Sequence, residues 1–169
     1  ALFYLFLGLL CTNKLLQAYL IDPLSRSIVL VAMVFATNIF YYTIVEAGMS
    51  HIYSFGCVAL FLLIIKRFFS EQKSNYILLA AFVYGLIILL RPVNGIIILA
   101  IPFLAASSYK LLSGLSYILY TRFLVLKSII LCLAIVSLQP IIYKVAVDSF
   151  FVYSYEYESF VFLDPHFID

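Results

Sequence analysis

The sequence predicts an all-α, polytopic transmembrane helix bundle. Three observations carry that prediction: apolar residues fill 66% of 169 positions, charged residues only 11%, and long runs pass without a single charge. Soluble domains run at roughly 45–50% apolar and about 25% charged. A mean hydropathy of +1.18 therefore suits a chain whose surroundings are hydrocarbon. Phe and Tyr number 16 and 14 while Trp is absent, so an aromatic belt at the headgroup level would consist of Tyr and Phe. The formal net charge of +2 supplies no basic footprint for nucleic acid, and none is expected as a partner. Cys11, Cys57 and Cys132 lie singly within apolar segments, a spacing that gives neither a disulfide framework nor a zinc site.

About six membrane segments are expected, the first incomplete. Residues 1–12 read as the end of a span, and the chain reads as an internal fragment with N- and C-terminal parts missing. Residues 27–45 are nineteen positions without a charge, about 28 Å as a helix against a hydrocarbon core of about 30 Å. Residues 50–69 follow, closed by Lys66 and Arg67, whose stems are expected to snorkel to the interface. Residues 74–90 and 93–107 are separated only by Arg91 and Pro92. The last span, 128–143, is bracketed by Lys127 and Lys144, with a kink expected at Pro140. Residues 109–122 alternate apolar and small polar side chains, which suits a segment lying on the membrane surface. The domain reading is a helical bundle over 1–147 and the start of an outer-face, periplasmic loop over 148–169.

Basic residues set the orientation, because inner loops retain Lys and Arg. Loops near 13–26, 66–74 and 108–127 hold Lys14, Arg26, Lys66, Arg67, Lys73, Lys110, Arg122 and Lys127 against Asp22 and Glu71. The alternating loops hold Glu46, Asp148, Glu156, Glu158, Asp164 and Asp169 against Arg91 and Lys144. The expected location is a cell inner membrane, crossed several times, with an acidic outer face.

Polar residues near the outer ends of spans are functional candidates, because such groups are costly at membrane depth. The first cluster is Glu46-Ala47-Gly48-Met49-Ser50-His51, a turn in which Ser50 is positioned to cap the next helix. The second is Arg91-Pro92-Val93-Asn94-Gly95, with Pro92 suited to a first helical position. Both following helices would aim free N–H groups and positive dipole ends outward, and with Arg91 they would form a site for a phosphate. Glu46 and Arg91 equally fit an ion pair at the bilayer edge or a catalytic role. His51 fits a hydrogen-bonded interfacial residue or a substrate contact, and Tyr41 and Tyr42 read as belt residues. In the third cluster Tyr153, Tyr155 and Tyr157 alternate with Ser154, Glu156 and Glu158. An extended segment would put both glutamates on one face, about 7 Å apart, as an acid and base pair, a cation site or a solvated loop. Asn38 and Gln139 are the strongly polar residues deepest in the spans, and each is expected to hydrogen-bond between helices.

The run Glu46 to Phe55, the turn Arg91-Pro92-Val93-Asn94, and the tail Tyr153 to Phe160 continuing through Leu163-Asp164-Pro165-His166 together resemble bacterial membrane glycosyltransferases of the GT-C superfamily. More narrowly, they resemble the predicted dolichyl-phosphate-mannose protein mannosyltransferase-like proteins of Bacteroidetes. The resemblance implies a polyprenyl-phosphate-linked sugar donor, an acceptor at the outer membrane face and often a divalent metal near the site. It also implies that the defining acidic residues lie in a first outer loop preceding Ala1. On this reading Glu46 and Glu156 are the catalytic candidates, and His51, Arg91, Asn94, Tyr153 and Glu158 the substrate-binding ones. A multi-pass transporter, favoured by the breaks at Arg91-Pro92 and Pro140, and a non-catalytic membrane scaffold are the competing classes.

Overall fold

A computed structural model describes residues 1–152, and among them every regular element is helical. The order is α1 (Leu2–Ala18), α2 (Pro23–Phe35), α3 (Ile39–Ile44), α4 (Ser50–Glu71), α5 (Ser74–Leu90), the 3₁₀ helix η1 (Pro92–Ala105), α6 (Ser108–Tyr120), α7 (Arg122–Val136) and α8 (Leu138–Val147). They fall into two compact units, Ala1–Val136 and a second that begins at Ser137. Among the described residues two stretches are long and apolar enough to cross a membrane: Ser50–Glu71, with 22 residues, and Arg122–Val147, with 26 and an interruption at Ser137.

In the first unit α4 is the central helix, burying Ile52, Phe61, Ile64, Phe68 and Phe69. Its neighbour α1 runs in the same direction, with Tyr4 beside Gly56, Cys11 packed with Ala59 and Leu63, and Tyr19 beside Lys66. The two helices approach closely because glycine stands at the contact. A Cβ on Gly56 would lie 2.9 Å from the Tyr4 carbonyl oxygen, and one on Gly8 would enter the Phe55 ring. Apolar solvent gives no net drive for helices to associate, so close packing between small residues is what holds such pairs. Helix α5 returns against α4 and buries Val83 and Ile87, while its Gly85 meets Ile135 and the Cys132 carbonyl of α7. The far end is closed by α6, whose Gly114 lies on the Phe69 ring, with Gln72 Nε2 donating to Ser113 Oγ at 2.6 Å.

Apolar side chains cover the outside as well: Phe3, Phe6 and Leu10 on α1, and Phe123, Ile130 and Leu133 on α7, are all exposed. Water tolerates contiguous apolar patches of only a few hundred Å²; hydrocarbon removes that cost. In the second unit Gln139 Nε2 donates to the Tyr143 hydroxyl at 2.9 Å, and Lys144 pairs with Asp148, which ends α8 in the left-handed region at φ 57°.

Several expectations are corrected. The apolar run 27–45 is two helices, because the Thr37 hydroxyl donates to the Met33 carbonyl at 2.6 Å and accepts from Ile39 N–H at 3.2 Å. That side chain competes for the backbone groups a continuous helix would use. Asn38 becomes the residue before α3 and its carbonyl accepts from Tyr42 N–H. The bond of Gln139 lies within its own helix. Residues 109–122 fall largely in helix α6, which is mostly exposed and buries Gly114 against the Phe69 ring. The kink expected from Pro140 is seen one turn upstream, at Ser137, next to Val136 whose carbonyl the proline ring would meet, and Pro140 itself lies in the first turn of α8, where a missing N–H costs no helical bond. Lys66 does not snorkel: it is 7% exposed, with Nζ donating to the Leu104 carbonyl at 3.3 Å and lying 3.9 Å from the centre of the Tyr19 ring.

Candidate functional site

At the end of the first unit where α4 starts, the two turns singled out in the sequence meet. Arg91 Nη1 lies 3.1 Å from His51 Nδ1 across forty residues of chain. A guanidinium only donates, so Nδ1 accepts and the imidazole proton is assigned to Nε2. Tyr42 of α3 stacks on the His51 ring at 4.1 Å and 27°, which fixes the ring plane from the other side. Both partners are half-buried.

The turn before α4 is built by its own hydrogen bonds. Tyr41 Oη donates to Glu46 Oε1 at 2.9 Å, Met49 N–H to the Glu46 carbonyl at 3.0 Å, and Tyr53 Oη to the Ala47 carbonyl at 2.8 Å. Gly48 has no positive φ and open space around its Cβ position, so the turn does not depend on glycine there. Ser50 is the first helical residue and not the cap. Met49 precedes it and no side chain caps the helix, so the amides of the first turn keep their donor capacity. The start of η1 is similar: Arg91 is its extended N-cap at φ −154° and ψ 109°, Pro92 is the first residue, and no side chain caps it. Asn94 N–H closes that turn on the Arg91 carbonyl at 3.0 Å, and Tyr84 Oη holds the Gly95 carbonyl at 2.9 Å.

Among the described residues the ion pairs are Lys73 with Glu71 and Lys144 with Asp148. Arg91 thus has no carboxylate partner among the described residues, and of the two readings of Glu46 and Arg91 the ion pair is not formed: their partners are Tyr41 and His51 respectively. The positive elements gathered here are one guanidinium and the uncapped starts of two helices, with the Glu46 carboxylate in the adjoining turn. Ser54, one turn along α4 from His51, is buried and its Oγ has no partner among the described residues.

The structure therefore brings His51 and Arg91 together and places Asn94 one turn into η1 and Glu46 in the adjoining turn. Tyr153, Glu156 and Glu158 lie outside the described residues. Sequence reasoning missed Tyr42 as the stacking partner and Ser54 as a buried hydroxyl. Position Ser54, three residues after His51, was the available signal for the second; the first had none.

A divalent metal does not fit the described part of the site. No three His, Cys, Asp or Glu side chains gather among the described residues. No protein-family model matches the chain, and no curated protein or solved structure is significantly similar to it.

Proposed function

We propose that the chain is part of a multi-pass membrane glycosyltransferase that moves a sugar from a polyprenyl-phosphate-linked donor to an acceptor at the outer membrane face. The observation that carries this reading is the 3.1 Å contact of Arg91 with His51, which joins two uncapped helix starts around a guanidinium with no carboxylate partner among the described residues. Such a cluster suits an anion of two or more oxygens, and a lipid phosphate is the anion found at that depth. Cleaving the sugar–phosphate bond develops negative charge on the departing phosphate, and donors fixed in place beforehand stabilise that charge without reorganising.

In this reading Arg91 and the first amides of η1, near Asn94, hold the phosphate oxygens, while the Nε2–H of His51 offers a further donor. Tyr42 keeps that donor aimed. Glu46, held through Oε1 by Tyr41, offers its second oxygen to an acceptor hydroxyl, with Tyr153, Glu156 and Glu158 supplying contacts from the tail. The competing transporter reading is favoured by one feature, the Pro-containing 3₁₀ segment η1. The polar cluster at one end of the unit, instead of mid-bundle, favours transfer.

The test is Arg91→Lys in the intact protein, assayed for transfer of labelled sugar from a polyprenyl-phosphate donor at matched protein levels. Lys replaces a planar fork with a point charge, and hydrogen bonds to charged groups contribute about 1.5–3 kcal/mol. Turnover should fall about 10- to 100-fold while insertion and accumulation stay normal. Undiminished turnover would assign Arg91 to structure alone.

A further inference from the structure

At the opposite end of the first unit, α1 and α4 form an open cavity of about 340 Å³ lined by Lys14, Gln17, Leu63, Lys66, Arg67 and Ser70. Three cationic side chains face one space, and no carboxylate lines it. Neither described ion pair involves them. Glu71 feels the Arg67 charge, but its oxygens are already engaged by Lys73 at 2.6 Å and Tyr76 at 3.0 Å. The partners of Lys66 are a carbonyl and a ring face; these orient an ammonium without neutralising it. A buried ammonium without a counter-charge is costly, and the two exposed cations beside it add repulsion.

We infer that this cavity binds the phosphate of an anionic phospholipid headgroup. The missing component is an anion, and the depth points to a lipid. Lys66 lies sixteen residues along α4 from Ser50, about 24 Å at 1.5 Å per residue. With the start of α4 at one edge of a hydrocarbon core of about 30 Å, the cavity opens near the other edge. Lys14 and Arg67 are exposed there, so their long stems reach outward to a headgroup, while Leu63 continues the wall into the apolar zone. Basic pockets between helices on the inner leaflet are the sites where acidic lipids lodge, and this end is the one on which the sequence concentrates Lys and Arg. The inference requires the chain to sit in a membrane but is independent of the transfer reaction proposed above.

The experiment measures binding of phosphatidylglycerol, phosphatidylcholine and inorganic phosphate to the purified protein, by native mass spectrometry and by thermal protection in mild detergent. Phosphatidylglycerol should be retained and should raise the melting temperature, with phosphatidylcholine binding at least tenfold more weakly. The double variant Lys14→Gln, Arg67→Gln alters exposed positions only. It should keep the wild-type circular dichroism spectrum and lose phosphatidylglycerol affinity at least tenfold; Lys66→Met gives a third, buried probe of the same cavity. Equal retention of the two lipids, or undiminished phosphatidylglycerol binding by the double variant, would overturn the assignment. Protection by inorganic phosphate equal to that by phosphatidylglycerol would give the cavity to a soluble anion and overturn the lipid as its ligand.

Discussion

Replacing Gly56 by Ala tests how α1 is seated on α4. The added Cβ would lie 2.9 Å from the Tyr4 carbonyl oxygen, 3.0 Å from Tyr4 Cδ1 and 3.2 Å from Tyr4 Cβ. The first contact is with backbone, so relief requires α1 itself to move. Overpacking of this kind costs typically 1–3 kcal/mol, while the better helix propensity of Ala returns up to about 1 kcal/mol. With the full return the net expectation is a loss of up to about 2 kcal/mol, or a few degrees in melting temperature for a chain of this size. Gly48→Ala is the internal control: its position is open and its φ is not positive, so it should be neutral. Thermal unfolding in mild detergent, followed by circular dichroism, compares the two. If Gly56→Ala melts at or above the wild-type temperature, the close approach of the two helices is not what holds them. Because Gly56 lies five residues after His51, a displaced α1 would also disturb the start of α4.

Two further outcomes follow. In a Cys-free background, a single cysteine at Ala47 should react with a membrane-impermeant thiol reagent from outside, and one at Gln72 only after the membrane is opened; the reverse pattern would invert the proposed orientation. The Ser25 hydroxyl and N–H hold the Asp22 carboxyl below its ordinary range, so the cap of α2 contributes fully above the ordinary carboxylate value and is lost as pH falls through the lowered one. Helicity monitored in acid should show that step in the wild type and lack it in Asp22→Asn, whose side chain caps without titrating; identical acid profiles would refute the role.

The helical class and the pairing of the two polar turns were legible because both rest on local signals: unbroken apolar runs, and charged residues placed at their ends. The break at Thr37 was hidden because the side chain that ends the helix is small, uncharged and common inside spans. Lys66 was misread for a different reason. Whether a lysine near a helix end reaches water depends on what stands over it, and Tyr19 and Leu104 arrive from distant parts of the chain. The basic cavity was invisible for the same cause, since Lys14 joins Lys66 and Arg67 only once α1 is known to run parallel to α4. Ser50 was expected to cap its helix from residue type alone; the backbone enters α4 one residue earlier.

The 3₁₀ geometry of η1 has a metric consequence. At about 2.0 Å per residue its 14 residues reach about 28 Å, where an α-helix of equal length would reach about 21 Å. Its two ends are tied to different helices, Gly95 to Tyr84 of α5 and Leu104 to Lys66 of α4. Those ties act as the two marks of a gauge: the nine-residue interval between them matches the tighter coil, and the same interval wound as an α-helix would fall about 4–5 Å short. Val93, Ile96, Leu99 and Pro102, spaced by three, are all exposed and form a single column along the outer side. A one-residue deletion between Gly95 and Leu104 would therefore rotate that column by a third of a turn while pulling on both ties, carrying an error in the middle of the segment to the Arg91–Asn94 turn at one end and the basic cavity at the other.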